Sequence, residues 1–189
     1  MKQKKHLFTL VEILTVAVLV AILAGVTVGV VSLVSNKAAD AKTQALIKAL
    51  EIALENYRSD HGGFYRFPGG MLLREPVKLI VPDISKLSGG DVDKAIKGTI
   101  LKYLDQSLLS SSTVVVGDNL YFKDAWDNQI YYLIPGKFNK TGFDLISVGA
   151  DGKFGETDKK HDELNNDELK DYIDDAGKGD DITNFVDNQ

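Results

Sequence analysis

Apolar residues form one long block near the start of the chain. From Ile13 to Val31 the sequence is ILTVAVLVAILAGVTVGVV, close to the ~20 apolar residues that a helix needs to cross a bilayer core. Lys2, Lys4 and Lys5 precede the block, and positive charge before an apolar helix predicts a cytoplasmic end. The pattern therefore predicts a membrane helix. The alternative is a cleaved secretory signal, whose apolar core is shorter.

A second helical pattern follows the block. Small and apolar residues recur at steps of three or four and predict one face of an amphipathic helix: Ala38, Ala41, Ala45, Ala49, Ile52, Ala53 and Tyr57. Charged residues occupy the other faces, and Gly62-Gly63 is typical of a helix C-terminus. Residues 8–60 are therefore predicted to form one helix. Its first half is apolar, and its second half packs on a domain.

Shorter elements are predicted further along the chain. Apolar residues at helical spacing indicate a second helix between Asp91 and Leu104, and the serine run Ser110–Ser112 is interpreted as a loop. Four short runs of β-branched or aromatic residues predict strands: Thr113–Val116, Asn119–Phe122, Gln129–Ile134 and Phe143–Val148. We expect one small antiparallel sheet lying on the polar half of the long helix, which makes the fold class α+β.

Composition and charge exclude several functions. The chain has 22 Lys and Arg against 27 Asp and Glu, and no basic patch follows the apolar block, so nucleic-acid binding is not expected. The absence of cysteine excludes disulfides and thiolate metal sites. His6, His61 and His161 have no nucleophile beside them in the sequence. Because a catalytic triad needs such a constellation, we expect that the chain is not an enzyme.

The segment from Lys4 to Glu12, KKHLFTLVE, resembles the type III signal of type IV pilins and pseudopilins. The resemblance implies that a prepilin peptidase cuts between Leu7 and Phe8 and methylates the new amine. It also implies that Glu12 pairs with the terminal amine of a neighbouring subunit, since a charge in lipid is tolerated when an opposite charge reaches it. The alternative is an interfacial Glu12 facing lipid headgroups. Leu7 departs from the family, which has Gly before the cut.

Two motifs nearer the C-terminus resemble the major pseudopilins of type II secretion. The segment Asp124–Tyr132 is similar to their Asp-Pro-Trp-Gly-Asn-x-Tyr, with Ala125 and Asp127 in place of Pro and Gly. The segment Phe143–Gly152 resembles Tyr-Asp-Leu-x-Ser-x-Gly-Ala-Asp-Gly, and Gly179–Phe185 contains a close version of Asp-Asp-Ile-x-Asn-Trp. The resemblance therefore narrows to this branch of the family.

In those relatives the two C-terminal motifs hold calcium, an ion that takes roughly six to eight oxygen ligands. The resemblance implies that Asp151, Asp180 and Asp181 supply side-chain ligands, with backbone carbonyls near Ile146 and Ser147. The alternative is that these are solvated acids at an acidic end of the chain. An insertion, residues 159–178, separates the two motifs. It is expected to form a short acidic helix around residues 167–174 or to stay mobile.

The resemblance as a whole implies a type IV pilin-like fold. It divides the chain into a leader (1–7), the transmembrane half of the N-terminal helix (8–35) and a soluble periplasmic domain (36–189) with a calcium-binding C-terminal loop. The implied function is a structural subunit of a type II secretion pseudopilus, which polymerises from the bacterial inner membrane to drive protein export. The implied partners are further copies of the chain, minor pseudopilins, the prepilin peptidase and the inner-membrane assembly platform. Two alternatives remain: a type IV pilus pilin for adhesion or motility, and a membrane-anchored calcium-binding protein that does not polymerise.

Overall fold

The computed structural model describes residues 9–65, 77–164 and 171–185, without the side chains of residues 26–33 and Val77. The chain divides into two compact units, one ending at Ala38 and the other beginning at Ala39. Helix α1, Leu10–His61, begins in the first unit and ends in the second. Gly62 follows it with φ +67°, a left-handed conformation typical of the residue after a helix. The predicted end of the long helix is therefore confirmed.

In the first unit, the described leucine, isoleucine and valine side chains of α1 are exposed. From Leu10 to Leu23 its leucines, isoleucines and valines are between 52% and 81% exposed. The predicted membrane helix extends into residues 26–31, whose side chains lie outside the described set. Within the part of the chain that the structure describes, no helix has the combined length and apolarity needed to cross a membrane.

In the second unit, the buried face of α1 agrees only in part with the one that the sequence predicted. The buried side chains form this stripe: Thr43, Leu46, Ile47, Leu50, Ala53 and Leu54. Ala53 and Tyr57 pack in the core as predicted, whereas Ala41, Ala45 and Ile52 are exposed, and for these three residues the prediction was wrong. Leucine and isoleucine remove more apolar area from water than alanine. The larger side chains therefore decide which stripe of the helix faces the core.

In the described residues, two short helices precede the strand Thr113–Val116. Helix α2, Gly90–Lys97, ends at Gly98 and is followed by a 3-10 turn, Ile100–Tyr103. The Thr99 hydroxyl accepts a hydrogen bond from Leu101 N at 3.3 Å. This cap begins a new turn where the sequence predicted one continuous helix from Asp91 to Leu104.

Helix α3, Gln106–Ser112, includes the serine run that was predicted to be a loop, so that prediction was wrong. Within α3, the hydroxyl of Ser110 donates to Ser107 O at 3.0 Å and that of Ser111 to Leu108 O at 3.2 Å. Hydroxyls that bond back to the preceding turn are compatible with a helix, which explains how the run is accommodated.

Within the described residues, seven strands form two antiparallel sheets: β1 Val77–Lys78, β2 Ile80–Pro82, β3 Thr113–Val116, β4 Asn119–Phe122, β5 Tyr131–Leu133, β6 Asp144–Ser147 and β7 Ile182–Thr183. One sheet has the order β1-β5-β6-β7 and the other β2-β4-β3. The four predicted strands correspond to β3, β4, β5 and β6 and are confirmed. They belong to two sheets rather than one, because β4 and β5 pair with different short strands, β2 and β1, that the sequence did not reveal.

The four-stranded sheet is buried on both faces. Successive side chains of a strand point to opposite faces, and every residue of β5 and β6 is buried. Tyr132 and Leu145 belong to the main core, which includes the buried stripe of α1. Tyr131 and Ile146 belong to a second cluster with three side chains from the C-terminal region: Phe154, Ile173 and Ala176. The chain after β6 therefore covers the second face of this sheet.

The insertion is only partly described. It contains a 3-10 turn at His161–Glu163 and another at Ile173–Asp175. The acidic helix predicted around residues 167–174 falls partly on residues 165–170, which lie outside the described residues. Ile173 is 3% exposed, so the end of the insertion is packed against the second cluster.

Candidate metal site formed by two C-terminal loops

Two glycine-containing loops meet at the end of the four-stranded sheet. Loop A, residues 149–155, follows β6, and loop B, residues 177–181, precedes β7. Because β6 and β7 are antiparallel, with Ser147 opposite Ile182, the two loops leave the sheet side by side. Gly149 has φ +61°, and a Cβ at this position would collide with the backbone oxygen of Asp180. Only glycine accommodates both the conformation and the approach.

Asp180 fastens loop B to loop A. One of its carboxylate oxygens, Oδ2, accepts hydrogen bonds from the backbone N–H groups of Ala150 at 2.6 Å and Asp151 at 3.0 Å. The Asp151 side chain is exposed, and its Oδ1 accepts from Lys153 N within loop A at 2.8 Å. The structure thus brings the Asp180 side chain against the backbone of loop A. The Asp151 side chain, which belongs to loop A, lies at the exposed rim of the candidate site.

Asp181 is the most buried of the three predicted carboxylates. It is 2% exposed, and its Oδ2 accepts from Gly155 N at 2.8 Å and Gly177 N at 3.0 Å, which joins the two loops. Its other oxygen, Oδ1, is buried and has no hydrogen-bond partner among the described residues. Burial, together with a smaller effect of the nearby charges of Asp180 and Asp151, raises the pKa of Asp181 to about 7. A cation beside Oδ1 would favour the ionised carboxylate.

The predicted backbone ligands lie on β6. Ile146 is opposite Thr183, and Ser147 is opposite Ile182. Both residues are fully buried, directly before loop A. Calcium accepts backbone carbonyls together with carboxylates, although Ile146 already lies between two paired strands, opposite Tyr131 and Thr183. Within residues 9–65, 77–164 and 171–185, however, no group of three or more His, Asp or Glu side chains is placed to hold a metal.

The segment between β4 and β5 supports β6 from one side. Asp124 Oδ2 accepts from the Ser147 hydroxyl at 2.7 Å, and its Oδ1 accepts from the N–H groups of Trp126 and Asn128 at 2.9 and 2.8 Å. Burial raises the pKa of Asp124. Its carboxylate is thus engaged on both oxygens. It holds a turn rather than offering a ligand.

The two departures from the family's Asp-Pro-Trp-Gly motif have structural counterparts. Ala125, which stands in place of Pro, has an N–H that donates to the Thr43 hydroxyl of α1 at 3.1 Å. Asp127, which stands in place of Gly, keeps a positive φ of 69° and pairs with Lys123. The turn therefore retains the backbone that glycine favours, at a position where other residues are strained.

Glu12 has a local role that the sequence analysis missed. Its Oε2 accepts from Thr9 N at 2.9 Å and from the Thr9 hydroxyl at 3.0 Å, and Glu12 N donates to Thr9 Oγ1 at 3.2 Å. This is a capping box, whose Thr-x-x-Glu signature is present in the sequence. Leu7 and Phe8 lie outside the described residues. Pairing of Glu12 with a neighbouring subunit stays a prediction.

Comparison with known proteins gives one match. Residues 111–166 match the family model of the type II secretion system (T2SS), protein G. This segment contains β3 to β6, loop A and the start of the insertion; loop B lies beyond it. No curated protein and no solved structure matches the chain significantly. Protein G is a structural, non-enzymatic component of secretion, which confirms from the family that the chain is not an enzyme. The resemblance to the type II secretion pseudopilins is therefore confirmed, with residues 111–166 as the segment that carries it.

Proposed function

We propose that this chain is a structural subunit of a type II secretion pseudopilus that polymerises from the bacterial inner membrane to support protein export. The observation that carries the proposal is the family match over residues 111–166. The exposed apolar side chains of α1 between Leu10 and Leu23 support it. A contiguous apolar surface of this kind marks contact with a membrane or with other proteins. In the proposed function, this apolar part of α1 anchors the chain in the inner membrane, and the second unit is periplasmic.

Assembly in this proposal depends on Glu12. After a prepilin peptidase has cut before Phe8 and methylated the new amine, the Glu12 carboxylate pairs with the terminal amine of the neighbouring copy. The capping box keeps the carboxylate hydrogen-bonded to Thr9 in the single subunit. Minor pseudopilins and the inner-membrane assembly platform are the further partners. The family match favours a secretion pseudopilus over the adhesion or motility pilus.

We also propose that calcium binds between loops A and B. Asp181 and Asp180 would hold it, with the carbonyls of Ile146 and Ser147 and with Asp151 at the rim. Bound calcium would place a compensating positive charge next to the buried Asp181 carboxylate. The support is the buried Asp181 Oδ1, which has no hydrogen-bond partner among the described residues, and the effect of the Asp180 and Asp151 charges on the pKa of Asp181. The residues of the chain position the loops: Gly149 permits their approach, and Asp180 and Asp181 bond to loop A from loop B.

The assembly proposal is tested with Glu12→Gln. Glutamine can close a capping box as glutamate does, but it carries no charge to pair with an amine. We expect this variant to remain in the inner membrane and to lose filaments and export. Thr9→Ser, which keeps the capping hydroxyl, is the matched control and should assemble normally. Normal filaments from Glu12→Gln would show that the cap alone matters and that charge pairing does not drive assembly.

A further inference from the structure

Besides Asp180, two residues from elsewhere in the chain hold loop A. Asn128 Nδ2 donates to Gly149 O at 2.7 Å. His161 N, in the insertion, donates to Gly152 O at 2.8 Å. The loop is therefore fixed at both ends of its first four residues, and one of the two attachments comes from the insertion.

The His161 ring controls the Asn128 amide. His161 is half-buried, with Nδ1 2.8 Å from the Tyr131 hydroxyl and Nε2 3.3 Å from Asn128 Oδ1. Because Asn128 Nδ2 donates to Gly149, its Oδ1 faces His161 and needs a donor. The neutral ring then carries its proton on Nε2 and accepts from Tyr131 at Nδ1. Along the series of contacts from Tyr131 through His161 to Asn128, only this position of the ring proton gives every polar side-chain atom a partner.

Tyr131 makes that arrangement rigid. Tyr131 is 1% exposed, and its ring meets His161 edge to face, with centroids 5.8 Å apart and an interplanar angle of 83°. It also packs on Phe154 of loop A, with ring centroids 5.1 Å apart. The hydroxyl that orients His161 is therefore fixed in the second cluster, beneath the loop that His161 helps to hold.

We propose that His161 is a positioning residue for the calcium site, and that the start of the insertion, residues 159–164, increases calcium affinity through it. The His161 ring holds the Asn128 amide against Gly149, and the His161 backbone holds Gly152, so loop A keeps the geometry that receives the ion. The proposal rests on the calcium site proposed above. Groups that orient ligands without touching the metal typically change metal affinity by about 10- to 100-fold.

Calorimetric titration of calcium into the full chain in detergent tests this proposal. His161→Ala should weaken calcium binding about 10-fold, measured as the dissociation constant (Kd). His161→Gln, which keeps a donor and an acceptor, should recover most of the affinity. Glu163→Gln is the matched control, because Glu163 is exposed on the same 3-10 turn, and its Kd should equal that of the unchanged chain.

The outcomes separate the two proposals. If the unchanged chain binds calcium and folded His161→Ala has the same Kd, His161 does not position the site, although the site stands. A lower unfolding temperature in chelator with an unaltered Kd leads to the same conclusion, because it shows a purely structural role. If the unchanged chain does not bind calcium, both proposals fall. Should His161→Ala not fold, Asn128→Ala replaces it: a loss of about 10-fold supports the proposal, and an unaltered Kd overturns it.

Discussion

Replacing Asp181 by Asn should stabilise the chain in the absence of calcium and remove most of its response to calcium. Asp181 is 2% exposed, and one of its carboxylate oxygens has no hydrogen-bond partner in the part of the chain that the structure describes. Asparagine has nearly the same shape and keeps an oxygen that can accept from the N–H groups of Gly155 and Gly177. The substitution therefore removes the charge with little change in packing.

The magnitude follows from the pKa of Asp181, which burial raises from 3.8 to about 7. One pKa unit corresponds to about 1.4 kcal/mol, so ionising Asp181 in the folded chain costs up to about 4 kcal/mol. The new amide N–H group needs a partner, and leaving it unsatisfied costs about 1–3 kcal/mol. We expect a net increase of about 2 kcal/mol in the free energy of unfolding at alkaline pH.

The effect should depend on pH with a defined sign. The folded chain binds the Asp181 proton more tightly than the unfolded chain, so the free energy of unfolding falls as pH rises from 3.8 to about 7. The contribution is fully present below the lower value and lost above the higher one. The Asp181→Asn variant lacks this decline, so its advantage grows across the same interval. Calcium competes with the proton and should stabilise the unchanged chain most above this interval.

Denaturant titration in chelator and in calcium measures both effects. The chain has one tryptophan, Trp126, which lies in the turn next to β6 and provides the fluorescence signal. At calcium about 100-fold above its Kd, the unchanged chain should gain about 2.7 kcal/mol, and Asp181→Asn should gain far less. Asp118→Asn, at a position whose side chain is 94% exposed, is the control and should behave like the unchanged chain. A less stable Asp181→Asn in chelator, or equal calcium responses, would refute the reasoning.

Three further substitutions test the loops and the turn by denaturant titration. Gly149→Ala should lower the free energy of unfolding by about 3 kcal/mol, because it adds a collision to the strain of a positive φ. Gly152→Ala, whose Cβ would meet nothing closer than 3.6 Å, should lower it by only about 1 kcal/mol. Equal losses would contradict the close approach of the loops. Thr43→Val should cost about 1–3 kcal/mol by leaving the Ala125 N–H unsatisfied, and combining it with Ala125→Pro should recover part of that loss; no recovery would mean that the hydrogen bond is not responsible. Asp127→Ala should be less stable than Asp127→Gly by about 1 kcal/mol, since only glycine is unstrained at a φ of 69°; equal stabilities would show that the turn relaxes.

Local patterns predicted the elements that are long or bounded by turn residues. The strands β3 to β6 and the end of α1 are examples, because runs of β-branched or aromatic residues, the turn residues between them and Gly62 act within a few residues. The strands β1, β2 and β7 have only two or three residues, too few for alternation to be recognised. The buried face of α1 was predicted only in part because spacing alone does not distinguish a stripe of alanines from a stripe of leucines and isoleucines.

The candidate site, too, was predictable from the sequence only in part. The resemblance to the pseudopilins placed Asp151, Asp180 and Asp181 together, although about thirty residues separate the first from the other two. Spacing could not have done so, because the contact depends on the pairing of β6 with β7. The roles of Asn128 and His161 were missed for this reason. No local signal connects two residues that meet only when loop A folds over the end of the sheet. The Thr9–Glu12 capping box, by contrast, was recognisable from four consecutive residues.

The double burial of the four-stranded sheet has a consequence for the lifetime of the subunit. Phe154 of loop A and the end of the insertion cover Tyr131, Ile146 and their neighbours. If these segments detach, an apolar surface of aromatic and branched side chains becomes exposed to solvent, and proteins with such a surface are prone to aggregate. Cleavage by a protease should accordingly begin in this region, which limited digestion followed by mass spectrometry would locate. A protease that cuts only detached segments would therefore remove chains in which this cover of the sheet has not formed.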